Sequence, residues 1–207
     1  MAKIIGGVTT SHIPAVGNAI ANGLTQEPYW KRFFDGYKPA QEWLQKHKPD
    51  IAIVVYNDHG LNFFLDKMPT FAVGAAPEYR NADEGWGIPQ VPAFEGQQDL
   101  SWHLIEQLVE AEFDPVTCQE MLVDHAFTLP MALLWPDQRW PVKVVPVCIN
   151  TVQAPLPSAR RCRTSTLRLV APGGQASPRP GRALPVLNAH GAASPATPAR
   201  APLSKLT

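Results

Sequence analysis

The sequence predicts an α/β fold, a three-layer α/β/α arrangement around a central, mostly parallel or mixed sheet. Three observations predict it. Ile4-Ile5-Gly6-Gly7-Val8 and Ile51-Ala52-Ile53-Val54-Val55-Tyr56 are short, rich in β-branched residues and free of charge, as strands covered on both faces are. Between them Ala40, Trp43 and Leu44 recur at helical spacing, with Pro39 suited to a first turn and Pro49 to a stop. Strand, helix and strand in that order form a βαβ unit, so the two strands are expected to be parallel neighbours with a right-handed crossover.

Later elements follow the same rules. Asp99 is placed to cap a helix whose Leu100, Leu104, Leu108 and Ala111 form one apolar stripe. Ala126 to Trp135 reads as a short buried helix interrupted by Pro130. Val142 to Ile149 reads as a further strand, with Pro146 pointing to an edge or a bulge. Ala75 to Phe94, rich in Gly, Pro and polar residues, reads as a long loop of the kind that carries function.

A chain of 207 residues holds one domain, or one domain and a tail. Its zero net charge is a cancellation. Up to Asp137 there are eighteen Asp or Glu against eight Lys or Arg, and beyond it ten Lys or Arg with no acid. Folded sequence is expected over 1–157. Residues 158–207, Arg-, Ala-, Pro- and Gly-rich without periodicity, are expected to be disordered, because they offer too little apolar surface to offset an ordering cost of roughly 1–2 kcal/mol per residue. A basic arm for nucleic acid would need clustered rather than dispersed arginines. Translation of GC-rich coding sequence in a shifted frame fits that composition better. Three scattered cysteines make neither a disulfide framework nor a zinc ribbon. With no signal-peptide pattern and no run near the roughly 20 apolar residues of a membrane span, a cytoplasmic, soluble protein is expected.

Chemistry concentrates on histidines. His12 and His59 each follow one of the first two strand-like runs, in Ser11-His12-Ile13-Pro14 and Asn57-Asp58-His59-Gly60. Open α/β sheets bind ligands beyond the carboxyl ends of their strands, so the pair is placed to converge as half of a metal site. His125, in Val123-Asp124-His125-Ala126-Phe127, fits either a first helical residue or an acid/base group facing the same crevice. His47 and His103 fit helix-end and solvated-face roles, and His190 lies in the tail. Non-haem iron chemistry adds one carboxylate to two histidines. Asp58, Asp124 and Glu84 are the carboxylates at hand, and none is singled out as that ligand. A zinc hydrolase would need a motif such as His-Glu-x-x-His, which is absent from the sequence.

Taken together, Ile4 to Pro14, Tyr56 to Gly60, Thr70-Phe71-Ala72-Val73-Gly74 leading to Asp83-Glu84-Gly85-Trp86-Gly87, and Val123-Asp124-His125 resemble the class III extradiol ring-cleavage dioxygenases. The likeness is to the β (catalytic) subunits of protocatechuate 4,5-dioxygenases, over about residues 1–162, with gallate dioxygenases the nearest competitor. The resemblance implies Fe(II) held by two histidines, at His12 and His59, and a glutamate, with His125 near bound substrate. It implies extradiol cleavage of a protocatechuate-type diol by dioxygen, and a small α subunit in an α2β2 assembly. Family members carry the glutamate ligand and a further histidine base in a later segment, which nothing after Cys162 matches. Weak or no turnover is therefore expected of the chain as written, and a non-catalytic binding protein on the same scaffold is the alternative.

Overall fold

The computed structural model describes residues 3–170 except positions 86 and 89, with side chains to 166. In chain order come α1 (Pro14–Ala21), α2 (Pro28–Asp35), α3 (Lys38–His47), β1 (Ile51–Tyr56), β2 (Phe71–Gly74), β3 (Glu78–Asn81) and β4 (Phe94–Glu95). They are followed by α4 (Gln98–Glu110), β5 (Val116–Cys118), β6 (Leu122–Val123), α5 (His125–Leu134), β7 (Lys143–Ile149) and α6 (Ala159–Val170).

The main sheet runs β1-β7-β2-β5. β1 is parallel to β7, with Ile51 opposite Lys143 and Tyr56 opposite Cys148. β7 is antiparallel to β2, and β2 is parallel to β5. Strand alternation then sorts the apolar side chains into two cores. Val54, Tyr56, Ala72, Val144 and Cys148 pack with Ala126, Phe127 and Met131 of α5. Val55, Phe71, Val73, Val145, Val147 and Ile149 pack with Leu104, Ile105 and Leu108 of α4. Helices on both faces of a mixed sheet make the predicted three-layer α/β/α arrangement. Among the described residues no helix is long and apolar enough to cross a membrane.

α3 and α5 form where the sequence places them, and every residue of α5 is buried, Pro130 included. Other expectations need correction. Ile4 to Val8 forms no strand, so the expected βαβ unit with β1 is absent; Ile4 and Ile5 are exposed. Gly6 instead crosses the Trp43 indole so closely that a Cβ would meet it at 2.6 Å. Pro146 lies in a central strand, not at an edge. β2 ends at Gly74, whose position beside Pro146 Cδ leaves no room for a side chain, so the proline ring falls where pairing with β2 stops.

Gln97, not Asp99, is the residue before α4, and Asp99 lies in the first turn, where a negative charge also complements the helix dipole. The expected loop from Ala75 to Phe94 contains β3, which pairs with β4 and β6 in a second, small sheet. Its strands, two to four residues long, are too short to show a two-residue period. Finally, order does not stop at residue 157. α6 packs on the second core through Cys162, and the Arg161 guanidinium lies over the Phe71 and Phe113 rings at 5.3 and 5.5 Å. Composition missed this helix because its contacts with the core come from one cysteine and an exposed arginine lying over two rings, not from an apolar stripe. Residues 171–207, His190 among them, lie outside the described residues.

Candidate metal centre

β1 is buried on both faces at its end, and the chain leaves it through Asn57, Asp58 and His59. Asp58 shapes the turn. Its carboxylate accepts from the backbone N–H groups of Gly60, Leu61, Asn62 and Phe63 at 2.9–3.2 Å, and from Asn62 Nδ2 at 2.7 Å. Gly60 supplies the positive φ of 82° that such a turn requires. Asn62 then copies a strand partner: its Nδ2 donates to the Leu122 carbonyl at 2.9 Å, and its Oδ1 accepts from the Leu122 N–H at 3.1 Å. The loop carrying His59 is thereby fastened to β6, whose next residues are Asp124 and His125.

Asp124 is the N-cap of α5, with Oδ1 accepting from the Ala126 N–H at 2.9 Å. Its other oxygen, Oδ2, accepts from the His59 N–H and from His59 Nδ1, both at 2.9 Å. His125, the first residue of α5, donates its backbone N–H to Glu84 Oε2 and its Nδ1–H to Glu84 Oε1, each at 2.7 Å. His12 enters from the segment before α1, where the Thr10 hydroxyl is hydrogen-bonded to the Tyr37 hydroxyl and Pro14 opens the helix.

The three imidazoles meet. Ring centroids lie 5.2 Å apart for His12 and His59, 5.6 Å for His12 and His125, and 4.4 Å for His59 and His125, the last pair stacked. One ring nitrogen from each lies within 4.8 Å of the others, so the trio could hold a metal ion. Imidazole nitrogens suit first-row divalent ions. The convergence expected of His12 and His59 is therefore present, although His12 follows an irregular segment rather than a strand. His125, the first residue of α5, lies in the same cluster.

Glu84, Asp124 and His125 likewise bring one ligand atom each within 4.8 Å, with Glu84 hydrogen-bonded to His125 and Asp124 to His59. Asp58 is committed to its own turn. Burial, the largest influence on His59, disfavours its charged form, but the Asp124 hydrogen bond and charge, with Glu84 and Asp58 nearby, outweigh it and raise its pKa above the ordinary 6.5. His47 stacks on Trp43 at the end of α3, and His103 sits on the exposed side of α4, as their spacing predicts. Sequence reasoning left Glu84 and Asp124 without a role, since nothing local shows that a carboxylate 41 or 65 positions away will meet a given histidine.

The family described as the catalytic LigB subunit of aromatic ring-opening dioxygenase matches residues 6–164, and the chain belongs to that family. A 2,3-dihydroxyphenylpropionate/2,3-dihydroxicinnamic acid 1,2-dioxygenase from Photorhabdus laumondii subsp. laumondii is 32% identical over 155 residues, 74% of this chain and 46% of that protein. A gallate dioxygenase from Pseudomonas putida is 40% identical over 82 residues, 39% of this chain and 24% of that protein. The counterpart of the first from Cupriavidus necator is 33% identical over 129 residues, 60% of this chain and 38% of that protein. The chain spans less than half the length of each of these relatives. The matched stretch includes all three clustered histidines, Glu84 and Asp124, and reaches into α6.

Proposed function

We propose that this chain provides the histidine side of an Fe(II)-dependent extradiol dioxygenase centre acting on protocatechuate-type catechols. The observation that carries the reading is the convergence of His12, His59 and His125 at the end of β1 and the start of α5. His12 and His59 are the proposed ligands. Iron(II), when bound, supplies the one-electron chemistry that lets triplet dioxygen react with a catechol at a useful rate. His125, with Nδ1–H held by Glu84, keeps a lone pair on Nε2 and can accept a proton from a substrate hydroxyl. Its stacking on His59 keeps that nitrogen close to the cation site.

Two imidazoles leave a centre of this type without charge compensation. Glu84 and Asp124 are occupied in holding histidines, and Asp58 in holding its turn. The carboxylate ligand is thus a group from outside these three. The same occupancy favours a second reading, a protein that binds metal and diol without opening the ring. A small α subunit in an α2β2 assembly is the proposed partner. Gallate, which differs from protocatechuate by one ring hydroxyl, is the competing substrate, in keeping with the gallate dioxygenase relative.

Anaerobic titration with Fe(II), followed by oxygen uptake on protocatechuate, gallate and 2,3-dihydroxyphenylpropionate, with and without an α subunit, tests these readings. Stoichiometric iron binding that His12→Ala and His59→Ala each abolish is the expected result, with oxygen uptake highest on protocatechuate. Iron binding without uptake on any diol selects the non-catalytic reading. Iron retention unchanged in both variants overturns the proposed centre.

A further inference from the structure

One device holds both stacked histidines. In each, a single carboxylate from elsewhere in the chain accepts from the residue's own backbone N–H and from its ring Nδ1. Asp124 does so for His59 across 65 positions, and Glu84 does so for His125 across 41. A carboxylate can only accept, so Nδ1 carries the hydrogen in both rings and the lone pair of each neutral imidazole sits on Nε2. Bonding at both the amide and the ring leaves little freedom, because a turn about χ1 or χ2 breaks the ring bond while the amide bond stays. The setting strengthens the effect: the Asp124 side chain is fully buried, and those of Glu84 and His125 are 14% and 6% exposed.

We infer that Asp124 and Glu84 are positioning residues that fix the tautomer and orientation of His59 and His125 before any cation or substrate arrives. At His59 the preset lone pair is already in use, for Asn57 Nδ2 lies 3.0 Å from Nε2 and donates to it. Asn57 is then a neutral placeholder that an entering cation displaces. Asp124 has a third duty as the N-cap of α5, so the start of the helix and the pose of His59 are set by one side chain. The hydrogen-bond argument stands on the protein alone, whereas its consequence for a cation rests on the function proposed above.

Nitrogen-15 NMR of the imidazoles in the metal-free full chain, which tells either neutral tautomer from the imidazolium, tests the inference together with anaerobic Fe(II) titration. Asp124→Asn is chosen because asparagine caps helices about as well as aspartate. With its oxygen on the Ala126 N–H, its amide N–H2 faces His59 Nδ1, and the His59 tautomer shifts towards Nε2–H while His125 keeps its own. Glu84→Gln should produce the mirror result, a shift at His125 with His59 unaltered. Fe(II) affinity falls about 10–100-fold in Asp124→Asn, the usual effect of losing a carboxylate behind a ligating histidine. A role limited to stability would lower the melting temperature of either variant and leave both tautomers alone, which overturns the inference. Tautomer shifts with unchanged Fe(II) affinity uphold the positioning role and count against the proposed metal centre instead.

Discussion

At the scale of single residues, the carboxylates near the histidines are divided by what they accept. Asp58 sits one position from His59, yet both its oxygens are turned into the Gly60 to Phe63 backbone and away from any ligand role. Removing it strands four N–H donors in a partly buried turn. Asp58→Ala should lower the unfolding free energy by about 1–3 kcal/mol, and Asp58→Asn by less because the amide oxygen still accepts. Urea denaturation midpoints read both, and a midpoint unchanged in Asp58→Ala would show that the turn holds without its side chain. The histidines themselves were legible in the sequence, since His12 and His59 stand beside apolar runs and His125 opens an apolar helix. Their carboxylate clamps were not. Sequence neighbours such as Asp58 are conspicuous, whereas Glu84 and Asp124 act on histidines that only the fold brings near.

At the scale of elements, legibility followed length and period. β1, β7, α3 and α5 are long enough for their pattern of apolar residues to declare them, while β3, β4 and β6 are two to four residues long and exposed on one side. Ile4 to Val8 misled for the opposite reason: its composition suits a strand, but Gly6 is held against Trp43 and gives the run another place to lie. α6 was hidden by its arginines. Arg161, though exposed, lays its guanidinium over Phe71 and Phe113 and so covers one end of the α4 face of the sheet. Arg161→Ala should therefore loosen α6 and cost about 0.5–1 kcal/mol, and Arg161→Lys about half as much, because the planar stacking is lost but the charge stays. Limited proteolysis would detect the change as faster cleavage between β7 and α6. Equal cleavage rates in all three proteins would mean that the helix is held by Cys162 and Ser165, both packed inward, and not by the arginine.

At the scale of the whole molecule, two cores back to back on one sheet leave several weak acids buried between the sheet and α5. Desolvation pushes Tyr56 and Cys148 well above their ordinary values, each next to the other and to the Asp58 and Asp124 charges. It pushes Tyr79 up to about 12 and Cys118 up to about 11, the latter helped by Asp58. Each group binds its proton more tightly folded than unfolded, so its contribution to stability is complete below the unfolded pKa, near 9.0 for the thiols and 10.0 for the tyrosines, and is lost as pH climbs through the raised folded values. The contribution of these thiols and tyrosines should thus stay constant up to about pH 8.5 and then fall steeply, with the thiols leading. Cys118→Ala removes one of these protons with little change in volume and should flatten the first part of the decline, between about pH 9 and 11. Thiol alkylation followed in parallel should reach Cys162 first, since it is partly exposed and its pKa is raised less than that of buried Cys148. Should Cys118 or Cys148 react as fast as Cys162 at pH 8, the core against α5 would have to open far more readily than its burial implies, and the preset histidines at the head of that helix would lose their rigid support.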